Sequence, residues 1–220
     1  MGQLQTGAQQ DGFPSSPFPL TSEAPPKAPF VTTLRRQVLP LVAWVAVALL
    51  LRWGVIEPRW IPSGSMLPTL QLQDRILVEK LRPKLQVPLE IGTVVVFRSP
   101  EVLVAAGYDP KAALIKRVVG RPGDTLEVKD GKLWRNGAPA EPDWAAEAMD
   151  YAMAPITVPP EHLLVMGDNR NASLDSHLWG PLPSADLIGT AVVRYWPLQR
   201  FGRIRLSAPT PPPLKPAELG

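Results

Sequence analysis

The chain has 220 residues, a formal net charge of +3 and 45% hydrophobic residues, enough apolar material for one folded domain with flanking segments. Its basic residues are scattered rather than gathered into one block, so the charge does not favour a nucleic-acid partner. The absence of cysteine excludes disulfides, a thiol nucleophile and a thiolate metal site.

Both ends of the chain have the composition of disordered segments. Residues 1–34 are polar and rich in Gln, Ser and Pro without apolar periodicity, and proline dominates the last residues. We therefore predict a disordered N-terminal extension over 1–34, a folded domain over 58–206 and a disordered proline-rich tail over 207–220.

An almost continuous apolar run over residues 38–56 predicts a single transmembrane anchor at residues 35–57, because the run is about as long as a bilayer crossing. Arg52 lies near its far end, where a long cationic side chain can reach the headgroups. Two alternatives stay open. One is a cleaved signal peptide, although no small-x-small site follows the run in this chain. The other is a buried core helix, which is favoured only by the shortness of the uninterrupted apolar part.

The charges that flank the predicted anchor favour an N-terminus in the cytoplasm. Lys27, Arg35 and Arg36 precede the span, whereas Arg52 and Arg59 follow it. The domain after the anchor is then expected on the far side of the membrane, directly at the lipid surface.

A stiff segment at residues 61–70, called here the serine segment, follows the anchor. It contains Ser63 and Ser65 between two prolines, which restrict the backbone, while Gly64 allows a bound partner to come close to the main chain. We interpret Ser65 as a nucleophile. The alternative is a proline-rich turn capped by serines.

The rest of the chain has the pattern of short antiparallel strands, so the predicted fold class is mainly β. Runs rich in Val, Ile and Leu between Gly and Pro predict strands at residues 75–79, 93–97, 114–119, 125–129, 162–166 and 191–196. Asp130 and Gly131, between two such runs, are typical of a two-residue hairpin. The alanine-rich residues 141–154 indicate either a short helix or an irregular excursion.

A serine nucleophile needs a base to take its proton. The chain has two histidines, His162 and His177, and neither lies in a motif that supports a Ser-His-Asp triad. Lys116 lies among apolar residues on a predicted strand, and burial is what lowers the pKa of a lysine far enough for it to act as a base. The alternative is an edge lysine that faces water.

Residues 166–180, called here the polar segment, hold two aspartates, one arginine, two asparagines and two serines. Such a density of polar groups predicts a hydrogen-bond network that orients other side chains. An exposed loop with internal Asx turns is the alternative.

In this order and at these intervals, the segments resemble type I signal peptidase. The matching stretches are residues 62–70, 74–80, 92–98, 115–120, 122–124 and 167–170, the last leading to Ser173, Asp175 and Ser176. Residues 107–114 resemble the cyanobacterial and plastid branch of that family. The resemblance implies an antiparallel β domain that cuts signal peptides from exported preproteins after small-x-small sites.

The resemblance also implies roles for single residues. Ser65 corresponds to the nucleophile and Lys116 to the general base of a Ser-Lys dyad, while Ser63 joins the Ser65 amide in holding the oxyanion and Ser173 orients the lysine. Apolar pockets for small substrate side chains are implied for Ile61, Met66, Leu70, Ile76 and Ile115.

Structural support is implied for three charged residues of the same motifs. Asp168 is expected to pair with Arg117, and Asp175 is expected to order the polar segment. The family usually carries arginine where this chain has His177, which puts the usual ion pair to Asp175 in question.

The expected partners are the signal peptides of translocated preproteins and the bilayer of a plasma or thylakoid membrane. No cofactor, metal or nucleic acid is implied. Two other functions stay open. One is a Ser-Lys protease that cleaves itself, and the other is a non-catalytic, membrane-anchored β domain that binds exported chains.

Overall fold

The structure is a computed structural model that describes residue 2 and residues 30–140, 144–145 and 147–204. The predicted tail over 207–220 lies outside these residues, as does most of the predicted extension over 1–34. The chain divides into two units, Met1–Trp44 and Val45–Gly220.

A long helix, α1, spans Phe30–Gly54 and includes Pro40 and Arg52. It begins ahead of the predicted anchor, and many of its apolar side chains between residues 38 and 50 are exposed, Trp44 and Leu50 most of all. Among the helices that the described residues form, none meets the length and apolar character required for a membrane crossing.

Three short helices and twelve strands follow within the described residues. The helices are α2 (Leu81–Lys84), α3 (Glu101–Ala105) and α4 (Ser176–Trp179). The strands are β1 (Ile56–Trp60), β2 (Arg75–Glu79), β3 (Val94–Arg98), β4 (Ala113–Gly120), β5 (Thr125–Lys129), β6 (Lys132–Arg135), β7 (Ala138–Pro139), β8 (Met153–Thr157), β9 (His162–Met166), β10 (Leu182–Pro183), β11 (Leu187–Trp196) and β12 (Gly202–Arg203).

The strands form two antiparallel sheets, which confirms the predicted fold class. The eight-stranded sheet has the order β1-β2-β11-β3-β4-β9-β10, with β12 paired to β11. Strand β4 therefore lies between β3 and β9, where Arg117 is opposite Val94 on one side and Met166 on the other. This position explains why the residues of β4 from Ile115 onward are buried.

The four-stranded sheet has the order β7-β6-β5-β8. Its β5–β6 hairpin turns at Asp130 and Gly131, whose φ angles of 51° and 70° are both in the left-handed region. Such angles at both central residues are those of a type I′ turn, so the predicted hairpin is confirmed.

All six predicted strands are present, with β4 and β11 longer than predicted. Strand β1 is not among the predicted strands, because the predicted anchor includes residues 56 and 57 and because Pro58 argues against a strand. It lies at the sheet edge, where proline is tolerated. The described residues between 144 and 152 form no helix, which favours the irregular excursion, and β8 starts at Met153.

Candidate active site

The serine segment closes as a loop between β1 and β2. The Ile61 amide donates to the Asp74 carbonyl over 2.9 Å, and the Gln73 amide donates back to Ile61 over 2.8 Å. Inside the loop the Leu67 amide donates to the Gly64 carbonyl over 3.1 Å. These bonds turn the main chain around Ser65 instead of extending it as a strand.

Apolar side chains fix the serine segment to the sheet. The five residues predicted to line substrate pockets belong to one buried cluster, with exposed fractions of 0% to 7%: Ile61, Met66, Leu70, Ile76 and Ile115. Because Met66, Leu70 and Ile76 are completely buried, Ile61 and Ile115 are the two that reach nearest to solvent. The contact of these residues with a substrate remains a prediction.

Lys116 and Ser65 meet at the surface of this cluster. The distance from Lys116 Nζ to Ser65 Oγ is 2.8 Å, although 51 residues separate the two along the chain. Lys116 is 4% exposed and Ser65 is 8% exposed. The alternative of an edge lysine facing water is wrong, because β4 is an inner strand of the sheet.

The surroundings of Lys116 favour its neutral form. Burial lowers the pKa of Lys116 from its ordinary value to about 8, while the negative charges of Asp175 and Asp168 act in the opposite direction. Removing water from an ammonium disfavours the charged state, and here this effect exceeds the attraction of the two carboxylates. About half of the amine is then neutral near pH 8.

Arg117, next to Lys116 in β4, forms a buried ion pair with Asp168. The Arg117 Nε and Nη2 atoms donate to the two Asp168 oxygens over 2.7 Å and 2.6 Å. Arg117 also donates to the Gly92 carbonyl over 2.7 Å and to the Thr69 hydroxyl over 3.3 Å. The indole ring of Trp144 lies 4.7 Å from the guanidinium carbon. One side chain thus connects β4, the polar segment and the serine segment.

Asn169 is a site residue that was not singled out from the sequence. Its amide donates to the Ser65 carbonyl over 3.1 Å, and its side-chain Nδ2 donates to the Gly64 carbonyl over 3.2 Å. These bonds hold the main chain of Ser65 against the polar segment. An asparagine directly after Asp168 is a weak signal by itself, since asparagine is common in turns.

The two other predicted serines lie close to the dyad. Ser63 is exposed, and its Oγ is 3.4 Å from Ser65 Oγ. Ser173 Oγ is buried and has no hydrogen-bond partner among the described residues. It lies close to Gly167, whose main chain passes directly beside the Ser65 carbonyl oxygen. An orienting role of Ser173 for Lys116 therefore remains a prediction.

Asp175 organises the polar segment from a fully buried position. Its Oδ2 accepts from the Gly167 amide over 2.8 Å, and its Oδ1 accepts from both the amide and Nδ1 of His177, over 3.2 Å and 2.8 Å. The replacement of arginine by His177 thus keeps a side-chain contact to Asp175. In the part of the chain that the structure describes, no group of three or more His, Asp or Glu side chains is placed to hold a metal ion.

A model of the family described as signal peptidase, peptidase S26, matches residues 34–196 of this chain. That range contains the serine segment, β4 and the polar segment. The chain belongs to the signal peptidase family. It is therefore a serine-type endopeptidase.

Individual signal peptidases are similar over most of the chain. A probable signal peptidase I-1 of a Synechocystis species is 43% identical over 78% of this chain and 87% of its own length. Signal peptidase I of Leptolyngbya laminosa is 41% identical over 86% of this chain and 94% of its own length. A probable chloroplastic thylakoidal processing peptidase 2 of Arabidopsis thaliana is 47% identical over 73% of this chain and 43% of its own length. These relatives confirm the resemblance to the cyanobacterial and plastid branch.

A substitution at Gly167 tests how tightly this signal peptidase holds its serine segment. A methyl group there would lie 2.5 Å from the Ser65 carbonyl oxygen and closer still to the Ser173 side chain, so the backbone of Ser65 must move. We expect Gly167→Ala to lower kcat/KM about a hundredfold, because small displacements of reacting atoms are costly. Gly202→Ala is the matched control, since a methyl group there meets nothing. Equal activity of the two variants in a peptide cleavage assay would contradict the assigned packing.

Proposed function

We propose that this signal peptidase is a membrane-anchored endopeptidase that removes N-terminal signal peptides from exported preproteins with a Ser65–Lys116 dyad. The observation that carries the proposal is the 2.8 Å distance between Lys116 Nζ and Ser65 Oγ in a buried setting. A hydroxyl at this distance from a neutral amine can pass its proton to it in a single step.

In the proposed acylation step, Ser65 Oγ attacks the carbonyl carbon of the scissile bond while neutral Lys116 takes the hydroxyl proton. The negative charge that develops on the carbonyl oxygen is held by the Ser65 amide and the Ser63 hydroxyl. The Lys116 ammonium then gives its proton to the leaving amine, and the mature protein departs. In the second step Lys116 takes a proton from water as the water oxygen attacks the acyl carbon. The bond from that carbon to Ser65 Oγ then breaks, Lys116 returns the proton to Ser65 Oγ, and the signal peptide leaves as a carboxylic acid.

Substrate choice is proposed to come from the apolar residues beside the dyad. The small-x-small preference would follow from pockets formed at Ile61, Met66, Leu70, Ile76 and Ile115. Shallow pockets of this kind exclude large side chains by collision, which discriminates more strongly than a loss of contact. The small exposed fractions of Ile61 and Ile115, 2% and 7%, support a shallow rather than a deep site.

The anchor is proposed to be the apolar run of α1, with the N-terminus in the cytoplasm and the β domain on the far side of a plasma or thylakoid membrane. The exposure of valine, leucine and tryptophan side chains between residues 38 and 50 supports a lipid-facing surface. Arg52, near the end of the helix, suits the headgroup region. Release of the full chain from membranes by alkaline carbonate would contradict this anchoring.

The test of the proposal is cleavage of a synthetic signal-peptide substrate by the purified full chain in detergent. Wild-type protein is expected to cut after the small-x-small site. Ser65→Ala is expected to lower kcat/KM by a factor of about a thousand or more, because it removes the hydroxyl that Lys116 contacts. Ser184→Ala, on a turn outside the site, is the control.

Each alternative function has its own outcome in this experiment. A self-cleaving protease would shorten its own chain in intact mass spectra and leave the peptide uncut. A non-catalytic domain would bind the peptide without turnover. Full activity of Ser65→Ala would remove the proposed nucleophile.

A further inference from the structure

The two carboxylates near the Lys116 amine have different partners. Asp168 is bound through both oxygens by the Arg117 guanidinium, which is charged at every physiological pH. Asp175 is instead contacted at Oδ1 by the imidazole of His177, over 2.8 Å. Both carboxylates raise the pKa of Lys116, and Asp175 does so more strongly. The partner of Asp175 therefore bears directly on the dyad.

His177 is held in a defined orientation. Its ring stacks on Tyr151, with the ring centres 4.1 Å apart and the planes 17° apart. Its own amide also donates to Asp175, which caps the N-terminus of α4. The imidazole of a histidine can donate this hydrogen bond without a permanent charge, whereas an arginine in the same place would always add one.

We propose that His177 is a positioning residue that holds the Asp175 carboxylate in place without adding a permanent positive charge, and so sets the pH at which the dyad becomes active. The inference rests on the proposed function, since it assigns the pH dependence of the Ser65–Lys116 reaction. Asp175 without a permanent cation beside it stabilises the Lys116 ammonium, so activity begins at a higher pH than it would with an arginine as its partner.

Other charged and titratable groups face this pair from the neighbouring segments. Burial raises the pKa of Tyr151, so its phenol stays neutral over the pH range of an assay, and Asp150 and Arg170 also act on that phenol. Asp168 also acts on Lys116, and Arg117 binds both oxygens of that carboxylate. A change at His177 removes the ring stacked on Tyr151 as well as the partner of Asp175, so His177→Gln, which removes the ring without adding a charge, separates the two effects.

The experiment compares the pH dependence of kcat/KM for wild type, His177→Arg and His177→Gln. In His177→Arg the new cation offsets the charge of Asp175, the ammonium of Lys116 loses stabilisation, and the acid limb is expected to move down by about half a pH unit. In His177→Gln the new side chain donates a hydrogen bond without a permanent charge, and the acid limb is expected to stay in place. His162→Arg adds the same charge at the other histidine, at the start of β9, and is the matched control.

An unmoved or raised acid limb in His177→Arg would overturn the inference, as would an equal displacement in His177→Gln or His162→Arg. If His177→Arg does not fold, Asp175→Asn removes the same charge directly and must also lower the acid limb. Either result leaves the proposed function standing as long as wild-type protein cuts the peptide and Ser65→Ala does not. Loss of that difference would instead remove the proposed function itself.

Discussion

Replacement of Lys116 by methionine is expected to reduce kcat/KM for a signal-peptide substrate by about a thousandfold or more. Methionine is similar to lysine in volume but has no amine, so Ser65 loses the group at 2.8 Å that takes its proton. Stability is expected to stay the same or to rise, since an apolar side chain replaces a buried amine. The measurements are steady-state kinetics and thermal unfolding of the same preparation.

Lys111→Met is the matched control for this substitution. Lys111 is exposed in the loop before β4, where methionine changes neither the dyad nor the core. We expect that variant to keep wild-type kinetics. Equal rates for Lys116→Met and wild type would rule out Lys116 as the general base, and unfolding of Lys116→Met would make Lys116→Leu the next variant to measure.

Replacement of Arg117 by leucine is expected to lower the free energy of unfolding by about 3 to 5 kcal/mol. The reason is not the loss of attraction alone, because the substitution leaves the Asp168 carboxylate buried at 0% exposure without its cation. The bonds from Arg117 to Gly92 and Thr69 disappear as well. Chemical denaturation followed by tryptophan fluorescence gives the free energy.

Two further variants separate charge from packing in that experiment. Arg121→Leu removes an exposed arginine just after β4 and is expected to change stability by less than about 0.5 kcal/mol. The double variant Arg117→Leu with Asp168→Leu removes both charges and is expected to recover part of the loss. A double variant that is less stable than Arg117→Leu would contradict the importance of the buried carboxylate.

The strands with the plainest apolar runs could be predicted from the sequence. Residues 75–79, 125–129 and 162–166 are strands at the predicted bounds, because each is a short run of branched residues between turn formers. Strand β1 could not be predicted in the same way, since Pro58 is acceptable only at an edge and the edge is defined by the whole sheet. The order of the strands could not be predicted either, because it depends on pairing between residues that are far apart in the sequence.

Most residues of the candidate site could be selected from the sequence, but the hydrogen bonds between them could not be predicted. Ser65 and Lys116 could be selected from a stiff serine segment and an apolar lysine strand. The hydrogen bonds from Asn169 to the Ser65 and Gly64 carbonyls are visible only in the fold, because Asn169 and Gly64 are 105 residues apart in the sequence. The contact of His177 with Asp175 could not be predicted either, because the sequence shows only that His177 stands where the family usually carries arginine.

The most direct test of the central claim is a titration of Lys116 itself. NMR spectra of the full chain labelled with carbon-13 at the lysine side chains, with the Lys116 signal assigned by its absence from Lys116→Met, give the pKa of the amine. The structure predicts a midpoint of about 8. A midpoint near the ordinary lysine value of 10.5 would mean that the amine is charged when the enzyme works, and Lys116 would not be its base.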